Sequence, residues 1–375
     1  MAKKLVLIGG GHAHMVTLAN LENFIKKGYS VTVIGPSEYH YYSGMGPGML
    51  SKTYTPDDIR FYTRKVVEER GGSFILDSVV RIDPLEKMVL TKAGHQIPYD
   101  VLSCNAGSYV TDQGFTGDSD NVFAVKPIEK LLQAQRKIQE LTSKRQIEIG
   151  IIGGGPSSAE VAGNIVQLVE KSGGHPPKIR IFAGTSFMKK FPDKVRRLVK
   201  HSLTRRGIEI IEDGHANLIN ATTIDMENGR RYEADLIFMA TGVHPSTLFS
   251  ESALPVGPDG GLLVNRYLQS EMHPEIFGGG DCIYFEEQPL DKVGVYAVRQ
   301  NQILYHNLLA ALAGTELKEF NPGGPYLLIF NLGNGDGVLH KYWLTFGGRL
   351  AFIIKDYIDR KFMRLFQAIE KDQTD

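Results

Sequence analysis

The stretches Leu5-Val6-Leu7-Ile8-Gly9-Gly10-Gly11-His12-Ala13-His14 and Ile149-Gly150-Ile151-Ile152-Gly153-Gly154-Gly155-Pro156-Ser157-Ser158-Ala159-Glu160 decide how this chain is read. Each starts as an apolar β-run, tightens through consecutive glycines and opens into a helix-forming sequence. Such a strand–turn–helix unit turns backbone N–H groups toward a pyrophosphate at a helix N-terminus. One such turn is a weak signal. Two of them point to two dinucleotides in one chain, the usual arrangement for electron transfer between a nicotinamide and a flavin.

Size and composition fit that reading. At 375 residues, 42% of them hydrophobic, the chain is long for one domain and comfortable for two. Its 42 basic and 42 acidic side chains balance, so no whole-molecule field draws it to nucleic acid or to an anionic surface. The two cysteines, Cys104 and Cys282, are too few for a disulfide framework, and the absence of a CxxC pair excludes a dithiol relay of that kind. The N-terminus enters a strand almost at once, and no run of 18 apolar residues occurs, so a cytoplasmic protein without a spanning helix is expected.

Strand signals alternate with helical ones, which predicts α/β layers with mostly parallel sheets. The first unit runs from strand 4–9 through a helix near 13–27 to strand 29–34, then into a glycine- and tyrosine-rich loop at 39–49. A β-meander is expected over 73–103. After a charged helix near 127–145 the second glycine turn begins the same order again: helix 157–171, strand 178–182, helix 193–206, strand 208–212 and a strand ending in Ala240-Thr241-Gly242. Glu275 to Cys282 returns the chain to the first unit, followed by a helix over 292–313. The tail predicts a hairpin around Asn334-Gly335-Asp336-Gly337 and an amphipathic helix over 348–369. Its shared apolar face is Leu350, Ile353, Ile354, Tyr357, Ile358, Phe362, Leu365 and Ile369.

With these landmarks in order, the chain resembles the two-dinucleotide flavoprotein disulfide reductase superfamily over nearly its whole length. Within it the chain is similar to the branch of type II NADH:quinone and sulfide:quinone oxidoreductases. Ser43-Gly44-Met45-Gly46-Pro47-Gly48 and Gly294-Val295-Tyr296-Ala297-Val298-Arg299-Gln300 resemble the NADH-dehydrogenase-like proteins associated with selenide, water dikinase. The resemblance implies an α/β fold of two Rossmann-like domains, the NAD(P)H domain inserted in the FAD domain, plus a C-terminal hairpin and helix. The expected boundaries are 1–125 and 255–322 for FAD, 126–254 for NAD(P)H, and 323–375 for an acceptor or membrane-docking segment.

Site residues follow from the same resemblance. Gly9, Gly10 and Gly11 are expected to hold the FAD pyrophosphate. His14 stands where a third glycine is usual; His12 and His14 lie either beside the diphosphate or as ordinary helix-start residues. Ser43, Gly44 and Pro47 are expected near the isoalloxazine, with a plain surface loop as the other reading. Asp281, after Gly280, is expected on the ribityl chain, or as a helix N-cap, or both. The helix beginning at Gly294, with Val295, is expected to point its N-terminus at the flavin pyrimidine edge. Gly107 and Gly242 close the two strand ends. Gly153, Gly155 and Ser158 are expected on the NAD(P)H pyrophosphate, and Glu160 near the nicotinamide–flavin contact or as a solvated helix residue.

Neither strand end carries the acidic residue that selects a ribose. Gly35-Pro36-Ser37 stands in the first unit and Ala183-Gly184 in the second, with Lys189 and Lys190 just beyond, so NADH and NADPH both remain open. Cys104 and Cys282 read as small core residues, which argues against polysulfide or dithiol chemistry.

The expected function is an FAD-dependent NAD(P)H dehydrogenase passing electrons to a quinone near Tyr296, Gln300 and the tail. The basic, aromatic helix 348–369 docks on a membrane interface, on the protein's own core or on a dimer partner. Alternatives are a reductase of a soluble selenium- or sulfur-related acceptor, and a non-enzymatic flavin sensor.

Overall fold

The computed structural model describes residues 2–110 and 120–370. Strands β1 (Lys4–Ile8), β2 (Ser30–Gly35), β3 (Ser73–Leu76) and β4 (Val101–Cys104) are short and largely apolar, as strands covered on both faces must be. They form a parallel sheet in which β1 lies between β4 and β2, with β3 at one edge and the distant strand Ile276–Gly278 at the other.

A second parallel sheet repeats the plan with β5 (Val122–Ala124), β6 (Glu148–Ile152), β7 (Lys178–Phe182), β8 (Glu209–Ile211) and β9 (Leu236–Met239), in the order β5-β9-β6-β7-β8. The duplication extends to single bonds. Gly9 N–H donates to Ile34 O at 2.8 Å and Gly153 N–H to Phe182 O at 2.9 Å; Asn105 N–H donates to Ile8 O and Ala240 N–H to Ile152 O, both at 2.8 Å. Each glycine turn is therefore pinned to the carboxyl ends of its two flanking strands, where open parallel sheets bind ligands. The expected α/β architecture is the one observed.

Five longer helices complete the frame: α1 (Glu129–Thr142), α2 (Pro156–Ser172), α3 (Asp193–Thr204), α4 (Gly294–Ala313) and α5 (Arg349–Ala368). Pro156 opens α2 at its first turn, where its missing N–H costs nothing. Two cores result. One surrounds the first sheet and includes Leu248, Phe249 and Leu254, which the expected boundary assigned to the second unit. The other surrounds the second sheet and takes in Met45, Met49 and Leu50.

Three local expectations differ. The helix expected over 13–27 is a 3-10 turn, His12–His14, followed by helices Met15–Ala19 and Leu21–Lys26, broken at Asn20. The expected loop at 39–49 is a short strand, a 3-10 turn over Ser43–Met45 and a buried helix, Gly46–Leu50. Its glycines serve close packing: a Cβ at Gly48 would stand 2.4 Å from the Tyr54 ring, and one at Gly46 2.9 Å from Ile128. Tertiary contact here overrides the low helix propensity of Gly-Pro-Gly.

The third difference concerns α5. Its buried residues are Ala351, Lys355, Asp359 and Met363, while Leu350, Ile353, Tyr357, Ile358 and Leu365 of the expected apolar face are exposed. An ion pair turns inward and the apolar stripe turns out.

The tail reaches the second sheet through a contact between main chains. A Cβ on Gly163 of α2 would lie 2.0 Å from Leu332 O, and one on Gly333 2.2 Å from Gly163 O. Gly163→Ala is expected to lower stability by roughly 1–3 kcal/mol or more in chemical denaturation, since neither backbone can yield. Gly155→Ala, whose Cβ would meet nothing within 4 Å, is expected to leave stability unchanged.

Candidate active site

The first glycine turn is built around Asn105. Gly9 has φ +84°, and a Cβ there would fall 2.3 Å from Asn105 O; one at Gly11 would fall 2.7 Å from Asn105 Nδ2, and one at Gly10 2.4 Å from Thr63 Cγ2. Among the described residues, buried Asn105 Nδ2, Thr63 Oγ1 and Gln300 Nε2 have no hydrogen-bond partner. A buried polar atom left unpaired costs about 1–3 kcal/mol. Several together beside a glycine turn fit a polar cofactor that would supply the missing partners, such as FAD. Ser158 Oγ is likewise buried and unpartnered at the second turn, where Gly155 faces open space.

His14 is fully buried. A carbonyl can only accept, so Nδ1–H donates to Gly9 O at 2.6 Å and Nε2 accepts from Ser103 Oγ at 2.8 Å. Burial pushes its pKa down to about 4, against the Gly9 hydrogen bond. The neutral ring thus pins the turn to β4, and both nitrogens are used within the protein. His12 instead packs among His40, Tyr42 and the aromatic side chains of α5. Its Nδ1 lies 3.0 Å from His40 Nε2 and its ring stacks on Phe362 of α5, centroids 5.3 Å apart. Burial, then the neighbouring His40 and Lys126, hold His12 well below its ordinary value, and burial with Lys126 brings His40 to about 4.

Asp281 lies in the 3-10 turn Gly280–Cys282. Its Oδ2 accepts from Ser108 Oγ at 2.8 Å and from Lys126 Nζ at 2.9 Å, and Lys126 also donates to Ser108 Oγ at 2.9 Å. The N-cap position of that turn is Gly279, and Asp281 lies inside it. Gln300 of α4 is fully buried and accepts from Gly280 N–H at 2.7 Å, so it braces this turn from behind and does not line an open acceptor cleft. Val295 lies in the first turn of α4, as placed from the sequence. Tyr296 packs edge-on against Tyr326, 5.5 Å between centroids, and lies near Arg299.

Where α2, the 42–44 turn and α5 meet there is a charged cluster. Lys355 Nζ donates to Asp359 Oδ2 at 2.7 Å and to Gly44 O at 2.9 Å; Tyr42 OH donates to Asp359 Oδ1 at 3.2 Å. The Lys355 and Asp359 side chains are 9% and 5% exposed, so this pair is sealed from water. Burial opposes the charge on Lys355, but Asp359 and Glu160 outweigh it and hold its ammonium above the ordinary lysine value. Glu160 Oε1 accepts from Asn331 N–H at 2.8 Å. Burial raises Glu160 to about 7, against Lys355 and the Asn331 N–H. Its carboxyl is thus held by the tail's backbone and biased toward the neutral form, not left as a freely solvated helix residue.

The sequence reading named Glu160 but missed Asn105, Lys126, Tyr42, Lys355 and Asp359. Tyr42 fell within the glycine- and tyrosine-rich stretch 39–49, whereas Asn105, Lys126 and the pair on α5 carried no local signal. The structure forms no hydrogen bond between Glu160 and Tyr296 or Gln300 among the described residues. Cys104 and Cys282 are buried free thiols, as expected; Cys282 Sγ donates to Cys104 O at 3.4 Å and to Gly279 O at 3.3 Å. Burial raises Cys104 well above its ordinary value and Cys282 to about 11, so neither is a thiolate nucleophile at neutral pH.

The chain belongs to the pyridine nucleotide-disulphide oxidoreductase family, whose profile matches residues 3–302. It is an FAD-dependent oxidoreductase that uses NAD(P)H, a flavoprotein dehydrogenase. Among characterised relatives it is 26% identical over 392 residues to a type II NADH:quinone oxidoreductase of Staphylococcus saprophyticus, covering 96% of this chain and 94% of that one. It is 25% identical to ferroptosis suppressor protein 1 of Taeniopygia guttata, covering 94% and 91%. Its fold matches NDH2 from Plasmodium falciparum in complex with NADH (TM-score 0.81, 14% identity, 100% and 99% covered). It also matches the sulfide:quinone oxidoreductase from Aquifex aeolicus (TM-score 0.77, 20% identity, 98% and 92% covered).

Raising Glu160 to about 7 makes its protonated form the one that folding favours. The stability this contributes is fully present below the unfolded carboxyl value and is lost as pH rises through 7. In urea denaturation the stability of the wild type relative to Glu160→Gln is expected to fall by roughly 2–3 kcal/mol from pH 4.5 to 8, on top of the opposite trend that the neutral buried His14 and His40 give to both proteins.

Proposed function

We propose that this chain is a membrane-docked NAD(P)H:quinone oxidoreductase. The observation that carries the reading is the outer face of α5 and its preceding hairpin. Trp343 is 87% exposed, and Tyr357, Leu365, Leu350 and Ile353 are 65%, 62%, 60% and 51% exposed. Arg349, Lys361 and Arg364 lie on the same helix. Apolar side chains of this size, flanked by cations and ending in a tryptophan, suit the boundary between headgroups and acyl chains. No helix among the described residues is long and apolar enough to cross a membrane, so docking is at the surface. A lipid-soluble acceptor would enter from the membrane that this face meets.

The overall change is NAD(P)H + H⁺ + quinone → NAD(P)⁺ + quinol. Bound FAD supplies the hydride acceptance and the delivery of two electrons. Gly9 to Gly11, Asn105, Thr63, Ser108 and Asp281 would hold it, with Lys126 fixing the Asp281 carboxylate. Gly153, Gly155 and Ser158 would hold the nicotinamide nucleotide. Glu160 Oε is the group able to hold and release the additional proton near pH 7, and Lys355 supports its ionised form. The α5 helix lies against the first unit through Phe362 on His12 and Lys355 on Gly44. With both thiols buried, no sulfur intermediate is needed.

Combined substitution of Ile353, Tyr357 and Leu365 by serine is expected to abolish co-flotation with anionic vesicles. It should lower turnover with a long-chain quinone embedded in them by tenfold or more, while NAD(P)H:ferricyanide turnover is retained. Equal loss of both activities, or unchanged flotation, would overturn the docking assignment.

A further inference from the structure

The nucleotide unit carries a second arrangement, at the end of β7, that bears on which nicotinamide it takes. In dinucleotide folds a carboxylate at this place accepts from the ribose 2′-hydroxyl of NAD, and a basic group there accommodates the 2′-phosphate of NADP. Here β7 ends in Phe182, a buried residue whose ring packs on Tyr232, followed by Ala183-Gly184-Thr185-Ser186. No carboxylate occupies the place. The one that approaches, Glu212, is already engaged. Its Oε1 accepts from Phe187 N–H at 2.7 Å and its Oε2 from the Lys200 ammonium, and Lys200, Phe187 N–H and Arg196 hold it below the usual carboxylate range in spite of its partial burial.

The same segment is laid against the phosphate turn, because Met188 N–H donates to Gly154 O at 2.7 Å. Arg196 of α3 reaches back over it, with Nη1 3.5 Å from Ser186 Oγ, while Nη2 pairs with exposed Asp193 at 2.9 Å. Lys189 and Lys190 are exposed and make no ion pair among the described residues. From Ala183 to Lys200 the cations are Lys189, Lys190, Lys194, Arg196, Arg197 and Lys200, and the single acidic residue is Asp193. On the other side, Asp213 pairs with Arg230, and Glu227 accepts from His215 N–H at 3.1 Å.

We propose that this enzyme selects NADPH over NADH, with Ser186 and Arg196 as the specificity-determining residues for the 2′-phosphate and Lys189 and Lys190 adding to the attracting field. The proposal rests on the NAD(P)H-dependent reading and deepens it, and it departs from the NADH in the names of the relatives. A guanidinium beside a hydroxyl gives a phosphate a charge-assisted donor pair, whereas a plain ribose leaves that guanidinium without a matched acceptor.

The test is calorimetric titration of the FAD-loaded protein with NADP⁺ and with NAD⁺ at two salt concentrations. NADP⁺ is expected to bind roughly tenfold tighter or more, with the gap narrowing at high salt. Arg196→Gln should collapse the NADP⁺-to-NAD⁺ affinity ratio, and Ala183→Asp should reverse it. The surface double substitution Lys189→Ala with Lys190→Ala, which has no structural contact to lose, should reduce the ratio and its salt dependence. NAD⁺ binding as tightly as NADP⁺, or Arg196→Gln weakening both nucleotides equally, would overturn the assignment. Binding of neither nucleotide would overturn the dehydrogenase reading along with it.

Discussion

The arrangement of the site depends on one sealed ion pair, Lys355 with Asp359. Removing two charges from water costs several kcal/mol per ion, and only good geometry with further hydrogen bonds offsets it. Here Gly44 O and Tyr42 OH supply those bonds. All of these partners lie in the 42–44 turn, so α5 has one orientation that satisfies its buried charges. In that orientation Phe362 stacks on His12, Glu160 faces the cluster, and Leu350, Ile353, Tyr357 and Leu365 are left outside. Glu160's affinity for a proton and the exposed apolar face are thus two consequences of one packing decision.

The two sheets supply the other constraint. Their matched bonds at Gly9 and Gly153 put both phosphate turns at carboxyl strand ends, and the glycines let the backbone approach its neighbours too closely for any side chain. The first turn keeps donors and acceptors buried without partners, as a preformed polar site does; the second leaves open space at Gly155. If the first turn holds FAD as proposed, its polar groups are already in place and less ordering is needed on binding.

Much of the frame was legible in the residues. The strand–turn–helix units, the duplicated order, the return of Ile276–Gly278 to the first sheet and the span of α5 all follow from local pattern, because period, glycine runs and turn residues act over a few positions. The site was legible only where it coincided with a motif. Gly9 to Gly11, Asp281 and Glu160 could be named. Gln300 was placed beside the acceptor; in the packed chain it is buried, its Oε1 accepts from Gly280 N–H, and its Nε2 is left without a partner among the described residues. His14 breaks the glycine pattern, and only the position of Ser103 explains how its ring is accommodated.

What the sequence determined by itself was the class of fold, two glycine-rich strand–turn–helix units, the absence of a carboxylate at either strand end, and the absence of a CxxC pair. Each of these is a matter of residue type at short range. What only the tertiary structure decided was the inward face of α5, the Lys126–Asp281 pair, the burial of Lys355 and Asp359 against the 42–44 turn, and the proton affinity of Glu160. These depend on residues far apart in the chain, as Lys126 is from Asp281 and Gly44 from Lys355. Burial and neighbouring charge are properties of the packed interior, and a helical pattern of apolar side chains cannot show which side of the helix that interior will be on.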